Sequence, residues 1–231
     1  MSARRGRVVL DVPVFGQREA ECGNTSLKAV CWFLRRRVSA RALARLAGAG
    51  PEGIEHAGLI AAARACGFAA FERAGGSFAE LGGFLRRGLP IIVGWWSRAP
   101  GDADFDPAWS LAERRAQDCG HFSVVCGLDA TRVLLMDPQW ELRGGRWRVV
   151  GRRWTPRRAF ARAWYDTDTP AYQRVERWYL VVHRGGEAFA DELGGGVDHP
   201  ARPARPARAL TARSASASRS RAPRSGRSDR R

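Results

Sequence analysis

Gln17-Arg18-Glu19-Ala20-Glu21-Cys22-Gly23-Asn24-Thr25-Ser26-Leu27 is the stretch on which the reading of this chain turns. A glutamine stands five positions before a cysteine, and a glycine follows the thiol. From Thr25 to Arg36 the apolar residues Leu27, Val30, Cys31, Phe33 and Leu34 recur at the spacing of a helix with one buried face. A sulfur at a helix start lies beside amides that lack internal partners and near the positive end of the helix dipole, which favours its ionised form. Gly23 is expected to let the chain turn tightly there. Gln17 is spaced to bring its side-chain amide beside the thiol, where it would hold an oxyanion together with the Cys22 backbone N–H.

Much further along, Cys119-Gly120-His121-Phe122-Ser123 opens an apolar run, and Leu134-Leu135-Met136-Asp137-Pro138 closes the next one. Thiol, imidazole, carboxylate and amide donor are the parts of a cysteine acyl-transfer site. Residues 122–128 and 132–136 read as a hairpin turning on Asp129-Ala130-Thr131, with 129 as the midpoint between 121 and 137. The expected register therefore sets His121 directly opposite Asp137, where cross-strand Cβ atoms are ~4.5–5.5 Å apart. Asp137 would fix the imidazole while its other nitrogen faces Cys22.

The remaining pattern is that of an α+β domain. A short β segment over Val8 to Phe15 precedes the Cys22 helix. Ser39 caps a second helix through Leu46, stopped by Gly48 and Gly50, and Ile54 to Cys66 is a third, closed by Gly67. Phe68–Glu72 reads as a strand, Ser77 caps a helix over Phe78–Arg87, and Pro90–Trp96 is a buried strand. Residues 97–117 form an acidic loop insertion rich in Pro, Gly and Asp, with one helical turn at 109–115. Strands are expected at 122–128, 132–136, 147–150 and 178–183, with helical spacing over 156–164. After Gly185 the periodicity ends, so the domain is set at 1–185 and a disordered basic tail at 186–231.

With 231 residues and 45% hydrophobic content, one domain with a sizeable core is the default. The formal charge is +16, but Ala201–Arg231 alone holds ten arginines against one aspartate, a net +9, which leaves +7 for the body. A flexible basic segment predicts weak, nonspecific, salt-sensitive binding to nucleic acid or an anionic surface. It reads equally well as a solvated, GC-biased extension, and no aromatic residues interleave it for base stacking. Five cysteines without framework spacing, no secretory leader and no run of eighteen apolar residues predict a reduced, cytoplasmic protein without a transmembrane segment. Cys119, His121 and Cys126 match no common zinc spacing, and neither a metal nor a cofactor is expected. Cys31 and Cys66 read as core. His56 reads as a surface or capping residue, His183 and His199 show no partners, and Trp95-Trp96 are placed either in a substrate cleft or at a packed sheet edge.

The chain resembles the bacteriocin-processing, double-glycine leader peptidase family of papain-like cysteine peptidases, in a stand-alone form. The resemblance rests on Gln17, Cys22, Gly23, Thr25 and Leu27, then Gly120-His121-Phe122, then Asp137-Pro138, with support from Leu89–Val93 and Trp154–Trp164. It spans roughly residues 8–183 and implies a papain-like fold. In that family Cys22 is the nucleophile, His121 the general base and acid, Asp137 its orienter and Gln17 the oxyanion donor. It also implies a peptide or precursor-protein substrate, cleavage after Gly-Gly, and a neighbouring transporter as partner. The chain departs from the family in Glu21 before the cysteine, in the 97–117 insertion, and in having no Walker-type motif. Other acyl transfer or amide hydrolysis on the same scaffold, and a non-catalytic peptide-binding domain, are the alternatives.

Overall fold

The computed structural model describes residues 6–51, 53–96, 120–168 and 173–202. The expected 97–117 insertion, Cys119 and the chain from 203 onward lie outside the described residues. Three helices come first, α1 (Cys22–Phe33), α2 (Ala40–Ala47) and α3 (His56–Ala65), after a two-residue strand β1 (Val8–Val9). Then come β2 (Ala69–Arg73), α4 (Phe78–Arg86), β3 (Ile91–Trp96), β4 (Gly120–Leu128), β5 (Arg132–Arg143), β6 (Arg146–Pro156) and α5 (Arg157–Ala163). β7 (Tyr165–Asp168) and β8 (Gln173–Glu176) form a separate hairpin, followed by β9 (Tyr179–His183), α6 (Ala190–Leu193) and β10 (Val197–His199).

Local chemistry sets the helix ends. The Ser39 hydroxyl accepts from the Ala42 N–H at the start of α2, and Gly48 ends that helix in the left-handed region at φ 67°. Ser77 and Glu80 close a reciprocal capping box at the start of α4.

The main sheet runs β10-β2-β9-β3-β4-β5-β6, with β1 added against β4, and its described pairings are antiparallel. Alternate residues of each central strand face opposite layers. Ile92, Val124, Leu134, Met136, Leu180 and Val182 pack under α1–α3. Ile91, Val93, Val125, Leu135 and Val181 pack with α4, α5 and Phe189. Helices therefore cover both faces, α1–α3 on one and α4 and α5 on the other. This is why β3, β4 and β9 read as unbroken apolar runs.

Two expectations are corrected here. The segment Val8–Phe15 is a strand only at Val8–Val9, although Leu10 N–H still donates to the Cys126 carbonyl at 2.7 Å. The ordered sheet also continues past residue 185. β10 pairs with β2, the Asp198 carboxylate accepts from the Phe189 and Ala190 amides (3.1 and 2.8 Å), and Arg73 donates to the Leu193 carbonyl at 2.8 Å. A single fully buried aromatic, Phe189, anchors the segment against Phe71, Phe84 and His183. One such anchor in a polar stretch leaves no periodicity to read. Phe189→Ala should cost about 3–5 kcal/mol of stability, as expected for emptying a buried aromatic site; urea unfolding, read as a fall in the midpoint at unchanged slope, checks it.

Candidate active site

Cys22 is the first residue of α1 and is partly buried. Glu21, at the cap position, makes no side-chain capping hydrogen bond, so it does not compete for the first-turn amides beside the sulfur. One turn on, the Ser26 hydroxyl donates to the Phe122 carbonyl at 3.1 Å, which ties the start of the helix to the residue after His121. Gly23 supplies the clearance for this approach. A Cβ there would lie 2.2 Å from Ile54 Cγ2 and 3.1 Å from Phe122 Cδ2. The glycine therefore serves close packing of α1 on Ile54 and β4. Its φ is not positive, and the tight turn beside the sulfur is made upstream, where Ala20 has φ 55° and the Glu21 N–H donates to the Arg18 carbonyl at 3.1 Å.

His121, the second residue of β4, and Asp137, in the middle of β5, are both buried. His121 Nε2 and Asp137 Oδ1 are 2.8 Å apart. The same carboxylate oxygen accepts the Gln139 N–H at 3.0 Å, and Oδ2 lies 3.7 Å from the Arg153 guanidinium. The edge of Trp95 packs on the imidazole at 5.6 Å between centroids, with its indole N–H donated to Ser123 Oγ at 3.1 Å. Trp95 and Trp96 are thus buried supports of the sheet, the latter stacked on Tyr165.

The contact forms in a register other than the expected one. β4 and β5 pair Leu128 with Val133 and Gly127 with Leu134, then slip by one residue at a bulge, so that Val124 faces Met136. Continued along the strands, that register sets Ser123, not His121, opposite Asp137. His121 and Asp137 are diagonal neighbours on one face, a separation their side chains can span. The turn is centred between Ala130 and Thr131 and not at 129, since Leu128 pairs with Val133; Asp129 Oδ1 accepts from the amides of both Thr131 and Arg132 within it.

The Cys22 side chain is close enough to the imidazole to raise its pKa. With Nε2 committed to Asp137, Nδ1 is the nitrogen left for sulfur. Burial alone pulls the His121 pKa down, but the hydrogen bond to Asp137, the Cys22 side chain and the charge on both outweigh it and hold the value up at about 10. For Asp137, burial pushes upward, while the His121 hydrogen bond and charge, the Gln139 amide and Arg153 bring the pKa below the usual carboxylate value.

Gln17 reaches the same place through its backbone. Its N–H donates to the Pro138 carbonyl at 2.9 Å, and its carbonyl accepts the Trp140 indole N–H at 2.7 Å. Its Oε1 is buried and accepts no hydrogen bond from the described residues. Of the four residues singled out in the sequence, His121 and Asp137 meet through a side-chain hydrogen bond, Cys22 is near enough to shift the imidazole, and Gln17 is tied to residues 138 and 140 through its backbone. Ser26, Gln139, Trp140 and Arg153 complete the surroundings. Nothing in the linear sequence marks Arg153, because its approach to Asp137 depends on the β5–β6 register.

Elsewhere, His56 departs from the surface or capping role expected of it. It is buried at the start of α3, stacked on Trp178 at 3.8 Å, with Nε2 3.3 Å from Asp166 Oδ2. His199 pairs with Glu72 at 2.9 Å, and His183 accepts the Gly185 N–H at 3.3 Å, so both have the partners that no sequence signal disclosed. Cys126 is buried in β4, and burial pushes its thiol up to about 12. Cys31 and Cys66 are neighbouring thiols that shift one another: Cys31 is buried and raised, whereas Cys66 is partly exposed and drawn down by Cys31 and by the charge of Arg36 to about 7. Among the described residues no three His, Cys, Asp or Glu gather as a metal would require, and no helix is long and apolar enough to cross a membrane.

A model of the Peptidase_C39 like family matches residues 9–172. Among solved structures, a protein described as a C39-like peptidase from Bacillus anthracis is 19% identical, with a TM-score of 0.53, over 78% of this chain and 98% of that one. The peptidase domain of Streptococcus ComA, a bi-functional ABC transporter involved in quorum sensing, is 16% identical over 75% of this chain and 98% of that domain, with a TM-score of 0.49. A double glycine motif protease from an AMS/PCAT transporter, solved with leader peptide, is 20% identical over 78% and 96%, with a TM-score of 0.46. No curated protein matches the chain in sequence. The Bacillus anthracis likeness shows a shared fold, in keeping with the α+β, papain-like architecture expected from the sequence.

Proposed function

The chain belongs to the Peptidase_C39 like family, and on that premise we propose that it is a cysteine peptidase that hydrolyses a peptide bond through a thioester on Cys22. The observation that carries this reading is the buried His121 imidazole, hydrogen-bonded to the Asp137 carboxylate at 2.8 Å and held at a raised pKa by that carboxylate together with the Cys22 side chain. The Cys22 sulfur attacks the scissile carbonyl carbon. The oxygen, now negative, takes hydrogen bonds from the Cys22 backbone N–H and from the Gln17 side-chain N–H2. His121, held protonated by Asp137, gives its Nδ1 proton to the departing amine. The neutral ring then takes a proton from water, which attacks the thioester and frees the acid product and the thiolate. By the resemblance of its motifs, the substrate is a precursor peptide cleaved after Gly-Gly.

Thiol labelling tests this reading, provided Cys66 is kept apart. A small alkylating agent should modify both Cys66 and Cys22, because Cys66 is partly exposed with a pKa of about 7. A peptide ending in Gly-Gly and carrying an electrophile should modify Cys22 at least tenfold faster than Cys66 at neutral pH, as read by peptide mapping. Equal rates at the two thiols would remove the case for a peptide site at Cys22.

A further inference from the structure

Beyond the catalytic groups, residues 140–149 read Trp-Glu-Leu-Arg-Gly-Gly-Arg-Trp-Arg-Val, a strict apolar–charged alternation on either side of a diglycine turn. The pairing sorts the two kinds of side chain. Trp140 faces Val149 and Leu142 faces Trp147, while Glu141 faces Arg148 and Arg143 faces Arg146. Cross-strand partners share a face, so one side of the ribbon is wholly apolar and the other charged. β5 stops pairing with β4 at Met136, a second bulge intervenes between Asp137 and Trp140, and beyond it β5 and β6 run on as a two-stranded ribbon.

The inner half of the apolar face is occupied. Trp140 and Val149 lie so close over Gly16 that a Cβ there would be 2.6 Å from the indole and 2.8 Å from Val149 Cγ2, and the same indole holds the Gln17 carbonyl. The outer half is open: Leu142 is 60% and Trp147 68% exposed. Such a face continues the proposed site outward, starting at the oxyanion residue.

Chemistry fixes which half of a substrate would meet it. The departing amine must face its proton donor, His121, which is held by Asp137 at the foot of this ribbon. Residues beyond the amine leave the site on the β5–β6 side, and the acyl half leaves away from it. We propose that the apolar ribbon face grips the amine half of the peptide substrate, the part C-terminal to the cleaved bond; this rests on the peptidase reading above. Leu142 lies five residues beyond Asp137, about 17 Å at ~3.4 Å per residue, so the grip falls on apolar side chains about three to five residues past the bond. In an extended segment lying on this face every second side chain points to solvent, so apolar residues should recur at alternate positions with charged ones between them.

The test offers one peptide library, randomised in its acyl half, with three continuations: an aminocoumarin, a Gly/Ser segment, and an alternating Leu/Glu segment. The wild-type chain should cleave the Leu/Glu form with kcat/KM about tenfold above the Gly/Ser form. The double variant Leu142→Ala/Trp147→Ala, changed only at exposed positions, should lose that preference, while its ratio of Gly/Ser to aminocoumarin cleavage stays put. A wild type without the preference, or a variant that keeps it, overturns the proposal. So does a wild-type dimer that the double variant converts to monomer in sedimentation, since the face would then belong to a second copy. Failure to cleave any of the three forms would instead sink the peptidase reading, and this inference with it.

Discussion

Cys22→Ala is expected to abolish hydrolysis, with kcat reduced by about 10⁴-fold or more, and to leave the fold intact. The size follows from the unit character of the site: without a nucleophile, His121 and Asp137 have nothing to activate, and only binding and oxyanion contacts remain. The fold should survive because Cys22 is a partly buried first-turn residue that caps nothing, and alanine is the best helix former. A second readout separates loss of chemistry from loss of structure. In the wild type, the His121 pKa of about 10 lies above the unfolded value of 6.5. Its contribution to stability is therefore complete below pH 6.5 and is lost as the pH rises through about 10. The sulfur is one of the two groups that raise His121. Its removal should lower the imidazole pKa in an NMR titration and shrink the stability lost between pH 6.5 and 10. Hydrolysis at the wild-type rate by the alanine variant would refute Cys22 as nucleophile.

Elements whose signals are local were legible in advance. The caps at Ser39 and Ser77, the glycine stop at Gly48 and the apolar runs of β3, β4 and β9 act within a few residues, and the structure follows them to within a residue or two. The four candidate site residues stand out in the sequence for a different reason: thiol, amide, imidazole and carboxylate recur at spacings that a family resemblance recognises. What depends on register was not legible. The turn is centred beyond residue 129, so His121 and Asp137 are not face to face. The bulge after Val125 slips the register by one and returns the two to one face as diagonal neighbours, and nothing in the linear order of Gly127 to Leu134 marks that slip. His56 failed for the opposite reason. A histidine at a helix start is usually solvated, and only tertiary packing brings Trp178 over its ring and Asp166 to its Nε2. The C-terminal extension hinges on one aromatic, Phe189, and two backbone amides bonded to Asp198, contacts that periodicity cannot register.

Asp137→Asn should lower kcat/KM at neutral pH by about 10²–10⁴-fold and move the alkaline limb of the activity profile to lower pH. The carboxylate is one of two groups that keep His121 charged against the cost of burial. An amide retains the volume, and can still accept from Nε2 or from the Gln139 N–H, but it removes the negative charge. It also turns an N–H2 group toward either His121 or Arg153, both of them donors. With that charge gone, burial weighs more heavily and the imidazole loses its proton at lower pH. The charged pair that attacks and then protonates the leaving amine thus persists over a narrower range. The acid side carries the reverse sign. The Asp137 pKa lies below its unfolded value of 3.8, so its contribution to stability is present above pH 3.8 and is lost as the pH falls through the folded value; the asparagine variant should lack that acid-side loss. Asp137→Ala, which also empties the acceptor for Gln139, should be slower still. If Asp137 only braced the bulge, both variants would lose activity while the alkaline limb stayed where it is in the wild type. A shift of that limb in the asparagine variant marks electrostatic control of His121.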